Sequence, residues 1–136
     1  MIEIDHVTKR YGSHTAVSDL TLTVEPGRIY GFLGPNGAGK STTMNIMTGC
    51  LSATEGTVRI EGHDIFDEPN EAKSRIGYLP EQPPVYPEMT PREYLRFVAR
   101  AKGVRGEAFS RQVENALAGT QTQDVQNRLI KNLSKG

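Results

Sequence analysis

The sequence has one cysteine, no net charge and no long apolar run, and each shortage closes off a class of protein. Cys50 has no partner for an internal disulfide, and without Cys-x-x-Cys spacing it marks no zinc site or redox pair. A reducing, cytoplasmic compartment is the simplest expectation, with Cys50 a small packed residue. Sixteen basic residues balance sixteen acidic ones. No global field draws nucleic acid or an anionic membrane, so any phosphate must be held locally. No stretch approaches the roughly 18 consecutive apolar residues of a membrane helix. The opening MIEIDHVTKR carries charges where a signal peptide has its apolar region. Contact with a membrane then calls for a partner. His6, His14 and His63 are scattered without metal spacing and read as surface or strand-edge residues.

What is present reads as one α/β unit or a piece of one. Ile2 and Ile4 alternate, as do Leu20, Leu22 and Val24, and Tyr11-Gly12-Ser13 makes the turn of an antiparallel pair. Pro26-Gly27 is a turn, and Arg28 to Leu33 reads as a short strand buried on both faces, as in a parallel sheet. A helix over Lys40 to Thr48 is closed by Gly49. Thr57 to Ile60 reads as a strand ending at Glu61-Gly62, Pro69 to Arg75 as a short helix, and Ile76 to Leu79 as another strand. Four prolines between Pro80 and Met89 force a constrained, extended loop. Beyond it the chain turns helical. Thr90, Pro91 and Glu93 form a capping box, Gly103 ends that helix, Gly119 ends a second, and Val125 with Leu129 marks a short third. Arg92, Arg96 and Arg100 recur every four positions as one basic face, either solvated or set against an acidic patch on a membrane partner.

The segment Gly34-Pro35-Asn36-Gly37-Ala38-Gly39-Lys40-Ser41 has two glycines five apart, then lysine and a hydroxyl, the pattern of a phosphate-binding loop. Glycines let successive N–H groups converge on phosphate oxygens, and the helix that follows points its positive end into the same space. Lys40 brings a full charge to the terminal phosphates, Ser41 offers a hydroxyl to Mg²⁺, and Thr42 is placed to donate to a nearer phosphate. A glycine-rich turn before an ordinary helix is the plainer alternative. The strand expected before the loop and the helix expected after it favour the phosphate reading.

GPNGAGKST resembles the Walker A loop of ABC ATPases, and other segments agree in order along essentially the whole chain. The resemblance implies a P-loop NTPase fold of ABC-ATPase type: an N-terminal antiparallel β subdomain, a partial parallel core sheet and a helical subdomain, with residues 1–88 holding the β subdomain and Walker A core and residues 89–136 the helical subdomain. It implies that Tyr11 stacks on the adenine ring, with Val17 packed near the base. IGYLPEQPPVYPEMTPREYLRF is similar to the family's Q-loop segment, which touches the transmembrane partner. The position usually held by glutamine is Glu81 here, and Gln82 comes one residue later. Either side chain reaches a Mg²⁺-bound water in that reading, so Lys40 and Glu81 are the expected catalytic positions and Ser41 and Glu81 the expected Mg²⁺ positions. Leu133-Ser134-Lys135-Gly136 resembles the start of the signature motif, which in ABC dimers faces ATP held by the other subunit.

As a member of this family the chain is expected to take ATP and Mg²⁺, to work with a transmembrane permease and a second ATP-binding subunit, and to couple ATP binding and hydrolysis to export from the inner face of a membrane. The rival is a soluble ABC-type ATPase acting on nucleic acid or ribosomes; the short spacing from Glu81 to Leu133 leaves no room for the arms such proteins carry. In this family the Walker B acidic pair and the switch histidine follow the signature, so the C-terminal part of the core is expected to be absent from these 136 residues. The chain is then expected to bind nucleotide weakly and not to turn it over, because positioning is most of phosphoryl-transfer catalysis.

Overall fold

A computed structural model describes residues 1–134, which divide into two compact units, Met1–Tyr78 and a second beginning at Leu79. In the first unit, β1 (Ile2–Tyr11) and β2 (His14–Val24) form the expected hairpin around Gly12 and Ser13. They join β3 (Glu55–Ile60) and the two-residue β4 (His63–Asp64) in a sheet of order β2-β1-β3-β4, antiparallel throughout. Glu61 and Gly62, both at positive φ, make the tight turn between β3 and β4. Helix α1 (Lys40–Met47) and helix α2 (Pro69–Ser74) close the core. Ile46 and Ala72 are fully buried there, among Ile4, Val7, Val17, Val58, Ile60 and Ile65.

The α/β class and the antiparallel β subdomain are as expected. The segments 28–33 and 76–79, expected as strands, belong to no ladder among the described residues. Ile29 and Leu33 stand almost wholly exposed. A strand buried on both faces exists only between neighbours that complete its hydrogen bonds and cover its side chains. The four strands described pair with one another and offer these segments neither. Cys50 is exposed, not packed. It follows Gly49 in the turn that closes α1, where the N–H groups of Gly49 and Cys50 donate to the carbonyls of Ile46 and Asn45. That geometry turns residue 50 away from the helix.

In β1 and β2 two residues sit in left-handed conformation, His6 at φ 50° and Asp19 at φ 48°. The register of the pair shifts between Ile4 and Val7. The His6 ring meets the Asp19 carboxylate at 2.7 Å, the His6 N–H donates to Thr21 Oγ1 at 3.1 Å, and the Asp19 N–H donates to Thr8 Oγ1 at 3.0 Å. Side chains thus supply the hydrogen bonds that the irregularity removes from the ladder.

The second unit packs α3 (Pro91–Ala101) against α4 (Glu107–Gly119). The capping box forms as expected, with Thr90 Oγ1 accepting from the Glu93 N–H and the Glu93 carboxylate accepting from the Thr90 N–H. The arginine row meets α4 as well as solvent: Arg96 and Arg100 are exposed and Arg92 is half-buried. Arg92 grips both carboxylate oxygens of Glu114 on α4 and the side-chain carbonyl of Gln126, while the guanidinium groups of Arg96 and Arg100 each lie 5.7 Å from the Phe109 ring centroid. The cations pack the helix pair. Gly119 is the last residue of α4, and the left-handed cap falls on Gln121 at φ 53°, with the Thr122 N–H donating to the Leu117 carbonyl at 3.0 Å. The expected third helix is reduced to short 3-10 turns at Gln123–Val125 and Ile130–Asn132.

Two predictions follow from these backbone features. Gln121→Gly removes the cost of a side chain in left-handed backbone and should raise stability by about 1 kcal/mol, read by thermal melting. The Asp19 carboxylate raises the His6 pKa above its ordinary 6.5, chiefly through their hydrogen bond. The increment is therefore fully present below the unfolded pKa and lost as pH rises through the higher folded value. Relative to Asp19→Asn, the unmodified chain should gain melting temperature between about pH 8 and pH 6; a parallel pair of curves would contradict this.

Candidate phosphate-binding site

Residues 34–39 form the irregular connection that enters α1, and Lys40 and Ser41 open that helix. Gly37 at φ 84° and Gly39 at φ 79° are both left-handed. The Ala38 N–H donates to the Pro35 carbonyl at 3.3 Å, bending the loop back on itself. The Lys40 side chain folds over that bend. Its ammonium donates to the carbonyls of Gly34 and Pro35 at 2.6 Å each, which holds the positive charge within the loop rather than out in solvent. A cradle of curled backbone, a helix N-terminus and a fixed ammonium together favour a polyanion. Ser41 is exposed and Thr42 half-buried at the first turn of the helix.

Gly39 caps α1 with no side-chain hydrogen bond. The Ala16 carbonyl would stand 2.3 Å from a Cβ placed there, and Val17 Cγ2 3.1 Å. This close approach joins the loop to β2 and puts Val17 beneath the loop's end, buried in the core. Thr43, buried in α1, fixes the same glycine from the other side: its N–H and its Oγ1 both donate to the Gly39 carbonyl, at 2.8 and 3.0 Å. Tyr11 ends β1 opposite His14 in the hairpin that carries Ala16 and Val17. Its ring is half exposed, with the Lys9 ammonium 5.2 Å from the ring centroid.

Of the residues singled out in the sequence, Tyr11, Val17 and the loop from Gly34 to Thr42 belong to the first unit. Glu81 and Gln82 are exposed bends of the second. There, the Tyr94 hydroxyl donates to the Pro84 carbonyl at 3.1 Å and the Tyr86 ring meets Phe97 edge-on at 5.4 Å, so α3 holds the proline-rich segment. The N–H groups of Ile130 and Lys131 donate to the carbonyls of Met89 and Pro87. This ties the turn before the expected signature to the end of the same segment. Leu133 is half-buried and Ser134 exposed; Lys135 and Gly136 lie outside the described residues. Sequence reasoning passed over Lys9, Ala16 and Thr43. Only the second threonine after Ser41 carried a signal, four residues beyond Gly39 on a helix, where a hydroxyl reaches back to a carbonyl.

The family model described as ABC transporter matches residues 17–136. The uncharacterized ABC transporter ATP-binding protein YhaQ of Bacillus subtilis is 38% identical over 136 residues, all of this chain and 45% of that protein. The linearmycin resistance ATP-binding protein LnrL of the same organism is 36% identical over 115 residues, 84% of this chain and 37% of that one. The chain therefore spans less than half the length of these relatives. A solved ATP binding subunit of an ABC transporter superposes with a TM-score of 0.87 at 28% identity, over 99% of this chain and 56% of that one. The cassette MJ0796, in a dimeric post-hydrolysis state bound to ADP and Pi, does so with 0.83 at 25% identity, over 98% and 63%. Walker-type loop, antiparallel subdomain and family match agree, and the chain belongs to the ABC transporter family, as part of its ATP-binding domain.

Proposed function

We propose that this chain binds ATP through residues 34–42 and that the whole subunit couples ATP binding and hydrolysis to export across a membrane, paired with a second ATP-binding subunit and docked on a permease at its inner face. The observation that carries the reading is the Lys40 ammonium held across the Gly34 and Pro35 carbonyls of a loop closed onto the hairpin of Tyr11 and Val17. In that reading, the amides of the glycine-rich loop and the N-terminus of α1 hold the phosphate tail. Lys40 exchanges its carbonyl partners for phosphate oxygens, a charge-assisted and therefore stronger contact. Thr42 donates to a nearer phosphate, Tyr11 stacks on the base, and Val17 backs it. Ser41 would hold Mg²⁺, which would supply positive charge to the phosphate tail, and the water-mediated Mg²⁺ role of the Q-loop position would fall to Glu81 or Gln82. Leu133 to Gly136 would face the nucleotide of the second subunit. The relative MJ0796, solved with ADP and Pi, supports a nucleotide as the ligand.

The export reading rests on the resemblance of the Q-loop and signature segments and on relatives such as the linearmycin resistance protein.

Titration with MgATP should show saturable binding that Lys40→Ala weakens about ten-fold or more, the scale of a lost hydrogen bond to a charged group; equal affinities in the two proteins would sink the assignment. Gly39→Ala places a methyl group against the Ala16 carbonyl in left-handed backbone. It should lower stability by about 1–3 kcal/mol and abolish saturable binding, checked by melting and by the same titration.

A further inference from the structure

Lys9 lies two residues before Tyr11 on β1 and is half-buried. Its ammonium stands 5.2 Å from the centre of the Tyr11 ring and donates to the Ser52 carbonyl at 2.7 Å. Ser52 follows the turn that closes α1. One cation therefore links three things: the end of β1, the connection leaving the phosphate-loop helix, and the exposed aromatic ring. The two contacts differ in kind. The carbonyl fixes where the ammonium stands, and the ammonium then attracts the electron-rich face of the ring. A tyrosine half in solvent otherwise samples several rotamers, and fixing it on a ligand costs conformational entropy.

We propose that Lys9 is a positioning residue for base recognition: anchored on Ser52, it holds one face of Tyr11 and presents the other, pre-oriented, to the aromatic base of a purine nucleotide. The inference rests on the reading of Tyr11 as the base-stacking residue and adds to it a cause for the ring's orientation. It also assigns Lys9 a place in recognising the base and none in holding the phosphates. A plain brace between β1 and the α1–β3 connection is the competing role, and it predicts no distinction between the two ends of the ligand.

The test compares ATP with inorganic tripolyphosphate, which carries the phosphate tail without a base, on the full chain. Lys9→Met keeps the stem and removes the charge. It should raise the Kd for ATP about two- to five-fold, the scale of an exposed cation–π contact, and leave tripolyphosphate unchanged. Lys9→Arg should restore ATP affinity, since a guanidinium both covers an aromatic face and donates to a carbonyl. In a Tyr11→Ala background, Lys9→Met should have no further effect on ATP. Equal weakening of both ligands, no weakening of either, or a Lys9 effect that persists without Tyr11 would each overturn the proposal. Failure of the unmodified chain to bind either ligand would remove the nucleotide reading itself, and this inference with it.

Discussion

The contact between Gly39 and the Ala16 carbonyl sets where the glycine-rich loop can be. A β-carbon at position 39 would stand 2.3 Å from that oxygen, far inside any van der Waals distance, so only a residue without a side chain lets α1 begin this close to β2. Thr43 then locks the peptide from within the helix, through two hydrogen bonds to the Gly39 carbonyl. With that junction made, Ile46 one turn on reaches the core of the sheet and is fully buried. The loop ahead of the helix is left to curl over its own lysine. The contact with β2 thus fixes the N-terminus of α1, the end of the helix whose partial positive charge suits an anion.

A chain with no net charge holds its cations by local means. Lys40 sits on two loop carbonyls, Lys9 on a carbonyl and a ring, and Arg92 on Glu114 and Gln126. The cause differs in each case. Arg92 is a bidentate fork against a carboxylate and joins two helices; the two lysines rest on neutral partners, which a phosphate or a polarised ring can replace or complement at lower cost. Lys40, resting on neutral carbonyls, remains free to meet a polyanion, whereas Arg92, already matched to a carboxylate, is committed to structure.

Where the two lines of reasoning part, the reason is range. The hairpin at Gly12-Ser13, the capping box at Thr90 and Glu93, the closing glycines at 49 and 103, and the start of α1 at Lys40 after a glycine-rich loop are settled within a few residues of chain, and each was legible as written. Residues 28–33 are an apolar run whose strand character depends on partners far along the chain, and the periodicity of six residues says nothing of whether such partners are at hand. Arg92, Arg96 and Arg100 form a single face on a helical wheel, but whether that face meets water or Glu114 and Phe109 depends on α4. Helix α4 ends at Gly119 as expected, but the left-handed residue that follows it is Gln121, a position set by where the last carbonyls of the helix find donors.

By itself the sequence determined the glycine-rich loop, its flanking helix and the family, since these rest on residue types at fixed short spacings whose chemistry is the same in any surroundings. Tertiary structure alone decided that Lys9 lies over Tyr11, that Ala16 presses on Gly39, and that Cys50 faces outward. Those facts concern residues brought together by strand register and helix packing, and distances between chain segments are set by the sum of many weak contacts that no single stretch of sequence carries.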